Sequence, residues 1–318
     1  MGLFNWISKL FRRTLPPSVF KYPEPRWDKK ELLRRLNLNE INLIYTVRGF
    51  NPRDTNLLAP HLIPLGYWWH KIPKRSGKPR MLYSPNPRLK LLQKLLLRKV
   101  FAKLAVHSAC KGFRRGQSNC THARLHVGKA VVVRIDIKDF FHSTSGNQVY
   151  DFFRRIGWNH EAASLIQAIC TRKNRLPQGA PTSPILSNLV NYRMDARLAG
   201  LAGKSQAIYS RYADDLIFSF EQDNRRFIRG VIRRVVSILF ESGYTINRTK
   251  LNVMRQHNRQ VVTGLVVNRK VHLPRSTRRW LRSVEHHLNT GKSATLTREQ
   301  LAGWKAYQQM IQTQSTGN

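Results

Sequence analysis

The chain has 318 residues, 41% of them hydrophobic, with 56 Lys+Arg against 17 Asp+Glu and a formal net charge of +39. That apolar content excludes a disordered basic tail, and that charge selects polyanionic partners, nucleic acid first. No run reaches the roughly 18 apolar residues of a membrane span, so no membrane partner is expected, and three Cys (Cys110, Cys120, Cys170) in no metal-type pair point to a reduced, cytoplasmic setting.

Residues 1–60 read as an N-terminal helical extension. Its first dozen residues are amphipathic but lack the order and cleavage site of a signal peptide. Trp6 stands where a myristoylation signal needs Ser or Thr. A helix carrying Glu31, Leu32, Leu33 and Leu36 follows the prolines Pro16, Pro17, Pro23 and Pro25. The pattern then changes to strand-turn-strand over 67–83, with a basic turn from Lys74 to Lys78. A basic helix is expected over 89–105, where Leu92, Leu95, Leu96, Val100 and Leu104 keep the helical period.

Residues 131–137 are strongly β-prone and end in acids, Asp136 and then Asp139. A helix-rich stretch covers 148–170, the loop Leu176-Pro-Gln-Gly-Ala-Pro-Thr-Ser-Pro leads into a helix over 185–201, and an acidic hairpin follows. Another amphipathic helix, with Arg226, Arg229, Arg233 and Arg234, spans 225–240. A last β segment over 261–273 precedes a basic helical tail. There is no internal repeat.

Tyr212-Ala213-Asp214-Asp215 lies between Ala207-Ile208-Tyr209 and Leu216-Ile217-Phe218. Side chains alternate across a strand, so two adjacent acids reach one point only through a tight turn. An ordinary polar turn has the same composition. Asp136 changes the balance, because a charge closing an apolar strand is expensive to bury without compensation. A pair of divalent cations compensates Asp136, Asp214 and Asp215 together, and two such ions support in-line displacement at phosphorus. Mg2+ suits carboxylate, phosphate and water oxygens.

Ile135-Asp-Ile-Lys-Asp-Phe-Phe, the 176–184 loop and Tyr212-Ala-Asp-Asp resemble, in order, three signature blocks of reverse transcriptases. Lys74-Arg-Ser-Gly-Lys-Pro-Arg, Asn247-Arg-Thr-Lys and Val262-Thr-Gly-Leu agree further, so the resemblance covers about 67–311. It implies an α+β right-hand polymerase: fingers at 61–127, a palm at 128–268 with a fingers insertion near 147–187, and a helical thumb at 269–318. It also implies that Asp136, Asp214 and Asp215 are the catalytic metal ligands, joined by the Ile137 backbone. Phe141 matches the aromatic gate that excludes a ribose 2′-OH, beside a reading as a core aromatic. Arg80 matches the grip on the incoming deoxynucleoside triphosphate, with Lys74 its partner. Gln178 and Gly179 match the nucleotide pocket, Asp139 joins that set, and Lys250 matches an aid to the pyrophosphate leaving group.

Within the family the chain is most similar to the bacterial retron type, which carries Asn-Ala-x-x-His before the first catalytic strand and Val-Thr-Gly after the palm. Here the blocks read His122-Ala-Arg-Leu-His126 and Val262-Thr263-Gly264, so His replaces Asn. No Cys or Glu completes a metal set with His122 and His126, which leaves RNA contact or a hydrogen-bonded core. With Arg275, Arg278, Arg279 and Arg282 of the tail, these blocks form the expected RNA-binding set. The resemblance implies a structured noncoding RNA as template and primer, its cDNA, a branched product, and phage defence with a separate effector protein. The other readings are a group II intron-like or unclassified bacterial reverse transcriptase, and a catalytically inactive RNA-binding scaffold.

Overall fold

The computed structural model describes residues 22–39, 66–73 and 79–316. In chain order they form α1 (Lys29–Leu36), β1 (Tyr67–Ile72), β2 (Arg80–Pro85), α2 (Pro87–Lys99), α3 (Asn119–Arg124), β3 (Val131–Asp136), α4 (Phe140–Ser143), α5 (Gly146–Arg155), α6 (His160–Cys170) and α7 (Ser183–Val190). There follow α8 (Tyr192–Lys204), β4 (Ala207–Tyr212), β5 (Asp215–Phe220), α9 (Arg225–Glu241), β6 (Asn252–Arg255), β7 (Val261–Val262), β8 (Leu265–Val266), α10 (Arg275–Asn289) and α11 (Arg298–Thr316). The class is α+β, and every strand pair is antiparallel. The amphipathic stretch at the N-terminus and the basic turn with Lys74 lie outside the described residues.

The described residues divide into two compact units, those within Met1–Val106 and Asp139–Asn191 and those within His107–Lys138 and Tyr192–Asn318. In the first, Asp28 caps α1 by accepting the Glu31 amide at 2.9 Å. Leu32, Leu33 and Leu36 then join Leu89, Leu92 and Leu96 of α2, Phe153 of α5 and Ile166 of α6 in one apolar core. The helix expected over 89–105 stops at Lys99, because Val100 and Phe101 turn into that core. The stretch 148–170 is two helices, parted at Gly157, whose φ of 103° suits glycine alone. The helix expected over 185–201 breaks at Asn191, whose buried amide donates to the Ser187 carbonyl.

The second unit is built on a four-stranded sheet in the order β4-β5-β3-β6. Strand alternation puts Val132, Arg134 and Asp136 on one face and Val131, Val133 and Ile135 on the other. On the first face Val132 and Ile217 pack with Cys120 and Ala123 of α3, Leu281 and Val284 of α10, and Leu301 and Ile311 of α11. On the second face α8 supplies Asp195, which binds Tyr209 and Arg211. The expected β segment over 261–273 shrinks to β7 and β8, joined by Thr263 and Gly264. Both turn residues have positive φ, 45° and 84°, as a two-residue type I′ turn requires.

Candidate active site

Register sets the site. Asp136, last in β3, is paired with Asp215, and Tyr212 is paired with Asp215 across the hairpin, so Ala213 and Asp214 form a two-residue turn. Opposed residues of an antiparallel pair project from the same face, so Asp136 and Asp215 leave the sheet on one side, with Arg134 two residues back. The main chain ties the acids together: the Ile137 amide donates to the Asp214 carbonyl at 2.9 Å, and the Asn247 amide to the Asp136 carbonyl at 2.8 Å. Ala213 adopts φ 56°, a left-handed conformation that costs a non-glycine residue about 1–2 kcal/mol.

Charge is concentrated there. Asp136 is 3% exposed, and Lys250 Nζ donates to its two oxygens at 2.9 and 3.1 Å. Arg134 grips Asp215 with both prongs of its guanidinium, Nε and Nη2 each at 2.9 Å. Burial pushes the Asp214 carboxyl up, and the charge of Asp136 adds to it. Burial also raises Asp215, outweighing Arg134.

Clustered carboxylates are hard oxygen donors and fit a divalent cation such as Mg2+. Among the described residues, no three acidic, His or Cys side chains already converge as a ligand group. Asp136 and Asp215 face Lys250 and Arg134 instead, and these bases supply the positive charge that a metal would bring.

The remaining expected residues fall in several places. Arg80 opens β2 and is exposed. Three residues on, the Tyr83 amide donates to the Gln178 carbonyl at 2.7 Å. A Cβ added to Gly179, at φ 117°, would meet the Tyr83 carbonyl oxygen at 3.0 Å, so the pocket loop docks on the strand of Arg80 only with glycine there. Phe141 is half-buried against the core of the first unit. Asp139 is exposed, at φ 47°, just before α4.

RNA contact by His122 and His126 is corrected, since both are fully buried. Ser210 Oγ lies 2.7 Å from Nε2 of each ring, and Ser219 Oγ lies 2.8 Å from His126 Nδ1. One hydroxyl proton serves only one ring, so the other imidazole donates. Burial pushes both imidazoles down to about 3, which keeps them neutral. His122 also stacks on Tyr212 with ring centroids 5.6 Å apart. The pair therefore braces β4 and β5 from within.

Val262 is buried too, so its side chain makes no RNA contact, while the Thr263 hydroxyl donates to the Asn119 carbonyl and Gly264 is exposed. Arg275, Arg278, Arg279 and Arg282 are exposed along α10, whose Leu281 and Val284 enter the core. Surface cations spaced like these suit a phosphate backbone.

Arg134, Gly112, Asp195 and Arg211 went unread in the sequence. Arg134 could have been found, since it alternates with Asp136 along one strand face. Arg211 stands beside Tyr212 in the hairpin, but its partner Asp195 comes from another helix and Gly112 from a distant segment, so their contacts leave no local signal.

Comparison with known proteins identifies the family of the chain. The family profile described as reverse transcriptase (RNA-dependent DNA polymerase) matches residues 72–300. The chain is 34% identical to the Retron Ec86 reverse transcriptase of Escherichia coli, covering 80% of this chain and 79% of that protein. It is 37% identical to the Retron Mx65 reverse transcriptase of Myxococcus xanthus, covering 76% of this chain but only 60% of that relative. A structure of apo telomerase from Candida tropicalis, truncated from its C-terminal domain, matches with a TM-score of 0.47 at 14% identity, over 66% of this chain and 55% of that one.

Proposed function

This chain belongs to the reverse transcriptase family, in its retron branch, and is thus an RNA-directed DNA polymerase; from that premise we propose that it copies part of a structured noncoding RNA into single-stranded DNA. Priming is from a 2′-OH of the same RNA, so the product is a branched RNA–DNA molecule, made in the cytoplasm and used in phage defence with a separate effector protein. Among the described residues, no helix is long and apolar enough to cross a membrane.

The observation that carries the catalytic part is the register of Asp136 with Asp215 and the turn that adds Asp214. Asp136, Asp214, Asp215 and the Ile137 main chain would hold two Mg2+ ions, which supply activation of the attacking hydroxyl and charge relief at the leaving pyrophosphate. Lys250 can release Asp136 and donate a hydrogen bond to the departing phosphate, since its side chain is half exposed. Arg80 binds the triphosphate, its planar fork matched to phosphate oxygens. Phe141 excludes a 2′-OH from the incoming sugar, and Asp139, Gln178 and Gly179 bind the rest of the nucleotide. The exposed arginines of α10 hold RNA phosphate. We read residues 61–127 as fingers, 128–268 as palm and 269–318 as thumb.

The test is the double substitution Asp214→Asn with Asp215→Asn. Primer extension should vanish while RNA affinity stays near wild type; full extension would sink the assignment. Sequencing the nucleic acid that copurifies tests the retron product. A short structured RNA joined to single-stranded DNA supports it, and bulk RNA without DNA counts against it.

A further inference from the structure

The turn that presents Asp214 is gripped at three successive backbone points. Gly112 packs against it so closely that an added Cβ would lie 2.7 Å from the Ala213 nitrogen. Arg211 Nη1 donates to the Ala213 carbonyl at 3.1 Å, and the Ile137 amide takes the Asp214 carbonyl at 2.9 Å. Strained backbone persists only where its surroundings over-determine it, and Ala213 at φ 56° meets that condition.

Arg211 is itself immobilised. Its Nε and Nη2 bind the two oxygens of Asp195 at 2.8 and 2.6 Å, and the Tyr209 hydroxyl donates to Asp195 at 2.8 Å. Arg211 and Asp195 are both fully buried. A buried ion pair is weak evidence for stability, because apolar residues of similar volume often serve as well or better. The guanidinium does something an apolar pair cannot: its third nitrogen reaches the turn. Nothing in RNA or nucleotide recognition requires a charge pair in this interior position.

We propose that Asp195 and Arg211 are a positioning pair for the catalytic turn, fixing the Ala213–Asp214 peptide so that the Asp214 carboxylate stays aligned with Asp136. The pair touches neither nucleotide nor RNA and acts through Asp214, so the inference rests on the reading of Asp214 as catalytic.

Three variants of the full chain, assayed on a primed RNA template, decide it: Arg211→Lys, the double Asp195→Leu with Arg211→Met, and Asp214→Asn. Rates are taken per RNA-bound molecule, so partial unfolding does not enter. Arg211→Lys keeps the charge and loses the fork. Its single-turnover extension rate should fall about 100-fold, as expected for a misplacement near 1 Å. Half-saturating dNTP and RNA affinity should stay unchanged. The apolar double should keep a melting temperature near wild type and stay slow.

A wild-type rate in Arg211→Lys overturns the proposal. So does an apolar double that regains rate along with stability, since the pair would then be only structural. If the double yields no folded protein, Arg211→Lys decides alone. Asp214→Asn at wild-type rate would instead refute the underlying site reading. A dead Asp214→Asn beside a fully active Arg211→Lys refutes only the positioning pair.

Discussion

Lys250 Nζ sits 2.9 Å from one oxygen of Asp136 and 3.1 Å from the other, although 114 residues separate the two in the chain. The lysine side chain is 54% exposed and the aspartate side chain 4%, so the contact is an exposed cation resting on a buried anion. An exposed partner adds little stability. It does compete with any other cation for that carboxylate.

Lys250→Met should therefore tighten divalent-ion binding while slowing DNA synthesis. Titrating Mn2+ into the protein by electron paramagnetic resonance reads the first effect, and primer extension the second. Weaker Mn2+ binding in the variant would show that Lys250 supports the ion instead of displacing it.

The buried histidines set an acid limit on the fold. His122 and His126 sit near 3 in the folded protein and near 6.5 when unfolded. Between those values the unfolded chain binds more protons, so stability is full above about 6.5 and declines as pH falls, by roughly 1.4 kcal/mol per pH unit for each ring. His122→Asn should halve that slope. Urea midpoints measured from pH 7.5 to 5 check it, and an unchanged slope would mean that other groups carry the acid sensitivity.

Phe141→Ala should let ribonucleotides in. Preference for dNTP over rNTP is expected to fall by up to about 100-fold, the range over which a packed side chain rejects one extra hydroxyl. Single-nucleotide incorporation with each sugar measures it. Intact selectivity would leave Phe141 as a core residue of the first unit.

Gly112→Ala places a methyl where the Ala213 nitrogen now lies 2.7 Å away, against backbone that has no side chain to move aside. The turn must shift, so extension should slow by about 10-fold or more while RNA affinity holds. Overpacking of this kind should also destabilise the fold by about 1–3 kcal/mol, visible as a lower melting temperature. Wild-type values of both would mean that the 109–112 segment moves instead of the turn.

Much of the site was legible because its signals are local. A β-prone apolar run ending in Asp136, two short strands around Asp214 and Asp215, and a Gly-containing loop after Leu176 are patterns of neighbours along the chain. Helix ends were harder to read. The break at Asn191 and the stop at Lys99 follow from which side chains reach the core, and the sequence period continues past both.

His122 and His126 mark the limit most clearly. In a chain of +39 a conspicuous His block reads naturally as an RNA contact, yet its rings are sealed against Ser210 and Ser219, some 90 residues on. By itself the sequence determined the chemistry: three acids, their order, the turn between two of them, and a charge that selects nucleic acid. Tertiary structure decided which bases attend those acids, with Lys250 on Asp136, Arg134 on Asp215, and Arg211 spent on Asp195 and the turn. The reason is that Lys and Arg look alike on every stretch of a basic chain, and only the folded geometry singles out the few cations that reach a buried carboxylate.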